Sequence, residues 1–230
     1  MPYEIKDSKG ECIEAYTLHS PGLGKKNFAK LLNDVKKTEI KKYCDDITIV
    51  TTATSDLADK YPLIEQLNKS NISYLNSAKE FDGKWKRTVK IPLIKTIMKE
   101  VTTPYTLLLD ANDVVLLKDI DDNFLETWKE YNCDMVFNGQ WCMWPRVPSS
   151  TIESDKQSPF YYHYFNAGVC LGYTDKIAQL YDRAEECLNS KDYHPIDSEQ
   201  YFLRMAMLKE KDIKVKIDDG CHLFFVAYNK

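Results

Sequence analysis

Two carboxylates stand three positions apart at the end of a short apolar run, a spacing that suits metal chemistry. The run Tyr105–Leu109 is followed by Asp110 and Asp113. A run of this length, bounded by turn residues, predicts a strand buried on both faces, as in a parallel sheet. Ligands bind beyond the carboxyl ends of such strands. Two hard oxygen donors there suit Mg²⁺ or Mn²⁺, which would carry a substrate's phosphates. An ordinary Asp/Asn-rich turn is the alternative.

Hydroxyl and basic side chains precede this motif in the chain. Thr51, Thr52 and Thr54 end a β-branched run, where a nucleotide base could lie, although β-propensity alone also explains them. A second group gathers positive charge near a predicted helix start: Lys84, Lys86, Arg87 and Lys90. These cations could meet a diphosphate or simply form a solvated face.

Two polar groups in the second half could surround a substrate. Asn166, Ala167 and Gly168 interrupt an aromatic, apolar run. Gly168 would let a substrate or the backbone approach closely, and a strand bulge is the plainer interpretation. The other group stands at the start of a predicted helix and consists of Asp197, Glu199 and Gln200. Helix capping explains Asp197 but not the other two.

In the first half of the chain, predicted strands alternate with predicted helices, and these elements must position the residues above. Strands are predicted over 12–18, 47–53, 72–75 and 105–109. One helix, starting near Asp56, would bury Leu57, Tyr61, Ile64 and Leu67, and another would run from about Lys90 to Val101. An earlier helix would bury Phe28, Leu31, Leu32 and Val35. The alternation predicts a right-handed parallel α/β half.

The second half is less regular. Strands are predicted over 133–137, 162–173 and 213–217, with a loop region over 138–159 and a turn over 218–220. One helix carries an apolar stripe from Ile177 to Leu188, and a second begins at Asp197. The aromatic residues of this half could form a sugar-stacking surface or core: Trp141, Trp144, Tyr161, Tyr162 and Tyr164.

Composition limits the classes of function. A chain of 230 residues can bury one sizeable core, so one domain over residues 1–230 is the simplest count. The net charge is -4 and no basic block stands out, which argues against a nucleic-acid partner. We expect a cytoplasmic protein, because no signal peptide and no membrane-spanning run is present and the 7 cysteines are scattered.

Taken in order, these motifs resemble those of the GT-A glycosyltransferases, most closely the glycosyltransferase domain of procollagen lysyl hydroxylases and its viral relatives. The resemblance covers roughly residues 47–226 and leaves residues 1–46 outside. It is carried by the segments 50–54, 109–114, 137–140 with 144–145, 165–168 with 171–172, 199–202, and 217–219 before 223–224, together with the helix start at Lys90. It implies a single Rossmann-like GT-A domain with a mainly parallel central sheet flanked by helices.

The resemblance also implies an activity and a set of site residues. The activity is Mn²⁺-dependent transfer (with Mg²⁺ as the other candidate ion) of a sugar from a UDP-sugar to a hydroxyl of a glycan or protein. Asp110 and Asp113 would bind the metal, with Asp219 or His222 as third ligand. The donor would contact Thr51, Thr52, Thr54, Lys90, Asp110, Asn112, Trp144, Asn166 and Gln200. Asp197 or Glu199 would be the base of an inverting transfer, whereas a retaining transfer needs none.

Three other classes of protein share parts of this pattern. A haloacid-dehalogenase-type phosphohydrolase also places Asp after an apolar strand, but Asn112 occupies the position of its general acid. A sugar nucleotidyltransferase would need glycines after the strand over 47–50, to wrap a triphosphate. A non-catalytic sugar-nucleotide or glycan-binding module remains open. Release of UDP from UDP-sugars, with and without Mn²⁺, would discriminate among them.

Overall fold

The computed structural model describes residues 5–6, 12–13, 15–21, 39–54, 56, 60–145, 162 and 164–226. The predicted helix over Phe28–Val35 lies outside these residues, as do Leu57 and Tyr161. The strands, in chain order, are β1 (Ile5–Lys6), β2 (Cys12–Ile13), β3 (Thr17–His19), β4 (Ile47–Thr52), β5 (Tyr74–Asn76), β6 (Tyr105–Asp110), β7 (Val114–Leu116), β8 (Met135–Gln140), β9 (Tyr164–Tyr173), β10 (Val215–Asp218) and β11 (Phe224–Val226). The α-helices are α1 (Pro62–Lys69), α2 (Lys90–Ile97), α3 (Asp122–Lys129), α4 (Thr174–Asn189) and α5 (Glu199–Lys209).

A six-stranded central sheet with the order β10-β8-β9-β6-β4-β5 organises the chain. Its pairs are parallel except where β9 lies antiparallel between β6 and β8. One strand of the six therefore runs against the other five. The predicted α/β class with a mainly parallel sheet is confirmed.

Helices cover both faces of this sheet, which explains the apolar strands. Along β6, Leu107 and Leu109 pack into one core with α1 and α3, whereas Leu108 packs into the other with α2, α4 and α5. Successive side chains of a strand point to opposite faces, so a strand buried on both faces must be apolar throughout. The run that ends in Asp110 is such a strand.

Local sequence features mark the ends of α1 and α2. Proline suits the first turn of a helix, and α1 starts at Pro62. Residues 57–59, which follow the predicted start near Asp56, lie outside the described residues. A 3₁₀ turn at Arg87–Val89 leads into α2, and another at Met98–Glu100 follows it. Together these three segments run from Arg87 to Glu100, close to the predicted span from about Lys90 to Val101. Within the part of the chain that the structure describes, no helix is both long and apolar enough to cross a membrane.

A second, three-stranded sheet has the order β11-β3-β7 and brings the start of the chain to the motif carboxylates. The predicted strand over 12–18 is two strands, of which β3 pairs with β7 so that His19 lies opposite Val114. The backbone N–H of Ser20 donates to the carbonyl of Asp113 at 2.9 Å. Residue 19 is thereby fixed beside residues 110–113.

Candidate active site

Asp110 and Asp113 lie at the carboxyl-terminal edge of the central sheet. Asp110 ends β6 in register with Thr52 of β4, and Asp113 closes the turn that leads into β7. The side chain of Asp110 is 29% exposed and that of Asp113 only 6%. The pair therefore combines one accessible carboxylate with one that the fold shields from water.

His19 joins these two carboxylates. Its Nε2 lies 3.6 Å from Oδ1 of Asp113 and 4.0 Å from Oδ2 of Asp110. One donor atom from each of the three side chains falls within 4.8 Å of the others, a spacing that one metal ion could bridge. Among the described residues, this is the one such group of three. Its carboxylate oxygens are the ligands that Mg²⁺ and Mn²⁺ prefer.

A bulge in β9 makes room for the imidazole of His19. The pairing of β8 with β9 shifts between Phe137 and Asn138, leaving residues 167–169 unpaired with β8. A Cβ added to Gly168 would lie 2.1 Å from Cε1 of His19, so a side chain at position 168 would displace the ring. The predicted close approach at Gly168 is therefore made by a histidine, in a strand bulge.

Side-chain amides satisfy the backbone N–H groups of this bulge. Ala167 N donates to Oε1 of Gln200 at 3.2 Å, Gly168 N to Oδ1 of Asn166 at 2.8 Å, and Val169 N to Oδ1 of Asn138 at 3.1 Å. The Nε2 group of Gln200 also donates to the carbonyls of Trp144 and Phe165. The amide of Asn166 donates to Gln140. The structure therefore gives Asn166 and Gln200, predicted as donor contacts, a framework role.

Lys90 is held between two carboxylates at the start of α2. Its Nζ lies 2.6 Å from Oδ1 of Asp110 and 2.8 Å from Oε2 of Glu199. Burial alone would lower the pKa of Lys90, but the charges of Asp110 and Glu199 outweigh it and raise the pKa above its ordinary value. The ammonium therefore stays charged and offsets part of the negative charge of Asp110 and Glu199. A contact of Lys90 with a diphosphate stays a prediction.

Glu199 and Asp197 occupy different environments. Burial raises the pKa of Glu199, opposed by Lys90, and its Oε1 accepts a hydrogen bond from the hydroxyl of Tyr181 at 2.8 Å. Asp197 is exposed and accepts from the N–H and hydroxyl of Thr88. The expected cap of α5 was misplaced by one residue, because Ser198 accepts the N–H of Tyr201 instead. Asp197 is the more accessible carboxylate of the two.

The residues expected around the nucleotide are divided between framework and surface. The hydroxyl of Thr51 donates to the Leu109 carbonyl, and that of Thr52 bonds with Ser77. Thr54 is half-buried beyond the end of β4, and Asn112 is exposed between the two aspartates. Trp144 is 41% exposed, and the guanidinium of Arg87 lies over its ring, 5.1 Å from the centroid.

The C-terminal turn does not join the group of three ligand atoms. Asp218 is buried and accepts N–H groups from His222, Leu223 and Phe224 as well as the hydroxyl of Tyr131. Asp219 is half-buried and His222 is exposed. A role for either Asp219 or His222 as a metal ligand stays a prediction.

Sequence reasoning missed three residues that the fold brings to the site. His19 follows a weak strand, and Asn138 was assigned to a loop although β8 continues through it to Gln140. Tyr61 was predicted only as a buried helix residue. Burial raises its pKa, and the negative charges of Asp56 and Asp113 raise it further. For Asn138 alone, its polarity within an apolar run was a usable signal.

Comparison with known protein families identifies the family of this chain. A family model described as "PLOD GT domain" matches residues 45–229. The chain belongs to this family of glycosyltransferase domains. The match confirms the predicted resemblance, and it does not support the phosphohydrolase alternative. His19 lies outside the matched residues, which explains why the resemblance did not indicate it.

Two solved structures are among those that match this chain. One is a glycosyltransferase involved in glycosylation of the major capsid of PBCV-1, with 12% identity and a TM-score of 0.39 over 75% of this chain and 81% of that chain. The other is 4-diphosphocytidyl-2C-methyl-D-erythritol synthase from Anaerococcus prevotii DSM 20548, with 18% identity and a TM-score of 0.37 over 74% of this chain and 68% of that chain. A search of curated proteins found no match.

Proposed function

We propose that this PLOD GT domain transfers a sugar from a UDP-sugar to a hydroxyl acceptor on a glycan or protein, using Mn²⁺ held by Asp110 and Asp113. The observation that carries the proposal is the pair of carboxylates at the carboxyl-terminal edge of the sheet, in a chain of a glycosyltransferase family. Ligands of open α/β sheets bind at this edge.

The residues at this edge fit a divalent cation. Oδ1 of Asp110 contacts Lys90, whereas Oδ2 lies 4.0 Å from Nε2 of His19. Asp110 and Asp113 can therefore present oxygen atoms to one ion while Lys90 holds the first carboxylate in place. A bound cation would act as a Lewis acid that neutralises negative charge on the departing diphosphate.

We assign the residues around the carboxylates to three roles: orientation of Asp110, contact with the nucleoside and contact with the sugar. Lys90 and Glu199 orient Asp110 through their ion pairs, and Tyr181 fixes Glu199 in turn. We assign Asn112 and Thr54, which lie at the same edge, to the nucleoside. Trp144 offers an aromatic face to a sugar.

An acceptor hydroxyl needs a base only if the transfer inverts the anomeric centre. In that case Asp197 is the better candidate, because it is exposed while both oxygens of Glu199 bond to Lys90 and Tyr181. An Asp197→Asn variant that keeps full transfer activity would point to a retaining reaction.

The test is release of UDP from a panel of UDP-sugars, measured with and without Mn²⁺. Asp110→Asn and Asp113→Asn should each lower Mn²⁺-dependent release by at least about 100-fold, because each removes a charge that fixes the ion. Asp212→Asn, a change in an exposed turn, is the matched control and should retain full activity. Undiminished release in both site variants, with unchanged thermal unfolding, would refute the assignment.

A non-catalytic sugar-nucleotide-binding module is the second candidate, favoured by the contact between Lys90 and Asp110. That ion pair could hold the carboxylate away from a productive geometry. Mn²⁺-dependent binding of UDP without release of UDP from any donor would support this alternative over the transferase.

A further inference from the structure

The imidazole of His19 faces the carboxylates with Nε2, and its role depends on which ring nitrogen carries the hydrogen. A bare Nε2 could bind a metal, whereas an Nε2–H group could only donate a hydrogen bond to a carboxylate. The side chain is 2% exposed, so the neighbouring protein groups decide between these two states.

Asn138 decides the tautomer. Its Oδ1 accepts the backbone N–H of Val169 at 3.1 Å, which fixes the orientation of the amide. Its Nδ2 therefore faces Nδ1 of His19 at 3.0 Å. An amide NH₂ group can only donate, so Nδ1 must accept and the ring hydrogen must sit on Nε2. The flipped amide would direct NH₂ against the N–H of Val169 in a fully buried place.

The position of the ring leaves little room for another arrangement. Gly168 lies against it on one side, and the pairing of His19 with Val114 fixes the backbone on the other. The hydrogen bond from Ser20 N to the Asp113 carbonyl ties the same segment to the acidic turn. Rotation of the imidazole away from Asp113 would require this packing to open.

We propose that His19 is a positioning residue for Asp113: a neutral imidazole whose Nε2–H is directed at the carboxylate pair, and not a nitrogen ligand of the metal. Among the described residues, Oδ1 of Asp113 is the carboxylate oxygen nearest to Nε2 of His19, at 3.6 Å, so the N–H biases that carboxylate toward one orientation. The metal role rests on the proposed function, but the tautomer rests only on the contacts of Asn138.

A single substitution should convert His19 from a hydrogen-bond donor into a metal ligand. Histidines that bind metals usually donate the other ring N–H to a carboxylate or carbonyl oxygen. Asn138→Asp would supply that acceptor at Nδ1 while still accepting the N–H of Val169. The hydrogen should move to Nδ1, and Nε2 should become a ligand. Asn189→Asp, an exposed change of the same type on α4, is the matched control.

The first measurement needs no metal. Long-range ¹H–¹⁵N correlation spectra of the imidazoles distinguish the two tautomers, and the signal of His19 is the one lost in His19→Gln. The signal should show Nε2–H in the unmodified protein and in Asn189→Asp, and Nδ1–H in Asn138→Asp. A signal for Nδ1–H, or for a doubly protonated ring, in the unmodified protein would overturn the proposal whether or not the protein is a transferase.

The second measurement is pulsed electron paramagnetic resonance of bound Mn²⁺. A nitrogen signal that His19→Gln abolishes should be absent from the unmodified protein and should appear in Asn138→Asp. His19→Gln should weaken Mn²⁺ binding by about tenfold, as for the loss of an outer partner of a ligand. A directly bound nitrogen in the unmodified protein that His19→Gln removes would show that His19 is a ligand. Absence of any Mn²⁺ binding would refute the proposed function, and the tautomer would then be judged by the first measurement.

Discussion

At the scale of single residues, the site depends on one buried cation shared by two carboxylates. Lys90, Asp110 and Glu199 have side-chain exposures of 12%, 29% and 7%, so water screens the interaction poorly. Breaking a buried ion pair from one side is expensive, because it leaves the opposite charge uncompensated. Lys90 therefore stabilises the fold and the orientation of Asp110 at the same time.

We predict that Lys90→Met lowers the free energy of unfolding at pH 7 by about 3–5 kcal/mol, because two carboxylates then face each other without a counter-charge. Urea unfolding measures this change. Lys95→Met is the matched control, since Lys95 lies on the same helix and contacts Asp182 and Glu185 at the surface. Its loss should lower stability by less than about 1 kcal/mol.

The destabilisation in Lys90→Met should also depend on pH. The pKa of Glu199 is already raised by burial, and removal of Lys90 takes away the charge that opposes the shift. A raised carboxylate pKa means that the folded state takes up a proton more readily than the unfolded state, so stability rises as pH falls. The deficit should therefore shrink from pH 7 to about pH 5, and Glu199→Gln should reduce it at pH 7. A deficit that is constant with pH would contradict this account.

At the scale of elements, the bulge in β9 joins the framework to the site. Residues 167–169 leave the pairing with β8, and amides from three different elements accept their N–H groups: Asn138, Asn166 and Gln200. Without these acceptors the buried N–H groups would each carry a desolvation penalty. The bulge in turn creates the space that the imidazole of His19 fills.

We predict that Gly168→Ala lowers stability by about 1–3 kcal/mol, because the added methyl group overlaps the imidazole of His19. In a His19→Ala background the same change should have little effect, since the obstructing ring is gone. A double-mutant cycle of unfolding free energies measures this coupling.

Gly83→Ala is the control for this cycle, because its methyl group would meet only the ring of Phe81, a side chain in a loop. Equal losses from Gly168→Ala in both backgrounds would show that His19 does not occupy the space.

At the scale of the whole molecule, two sheets contribute to one site. The central sheet supplies Asp110, while β3 lies between β11 and β7 and supplies His19. Loss of β3 would leave two strand edges unpaired and remove the buried Leu18. Unpaired edges promote pairing between chains.

We therefore predict that deletion of residues 1–21 lowers the thermal unfolding midpoint and causes self-association, measured by calorimetry and size-exclusion chromatography. Deletion of residues 1–14 is the control, because it removes β1 and β2, which pair only with each other in the described sheets, and retains β3. A fully folded, monomeric protein after the longer deletion would show that β3 is dispensable.

Local sequence patterns were sufficient to predict much of the fold. The apolar run before Asp110 predicted a central strand because each of its side chains enters one of two cores. Helical spacing of apolar residues predicted α2. The two aspartates were predicted to lie together because three positions on one turn separate them. Each of these inferences uses only residues that are close together in the sequence, so the sequence by itself was enough to predict these features.

Tertiary structure alone decided what surrounds the two aspartates. His19 reaches Asp113 only through the register of β3 against β7, and Lys90 lies between Asp110 and Glu199 because α5 brings Glu199 beside the start of α2. Gln200 holds the bulge, and its contact with the donor stays a prediction. Such contacts join residues far apart in the chain, and their distances follow from how sheets and helices pack, which no local pattern encodes.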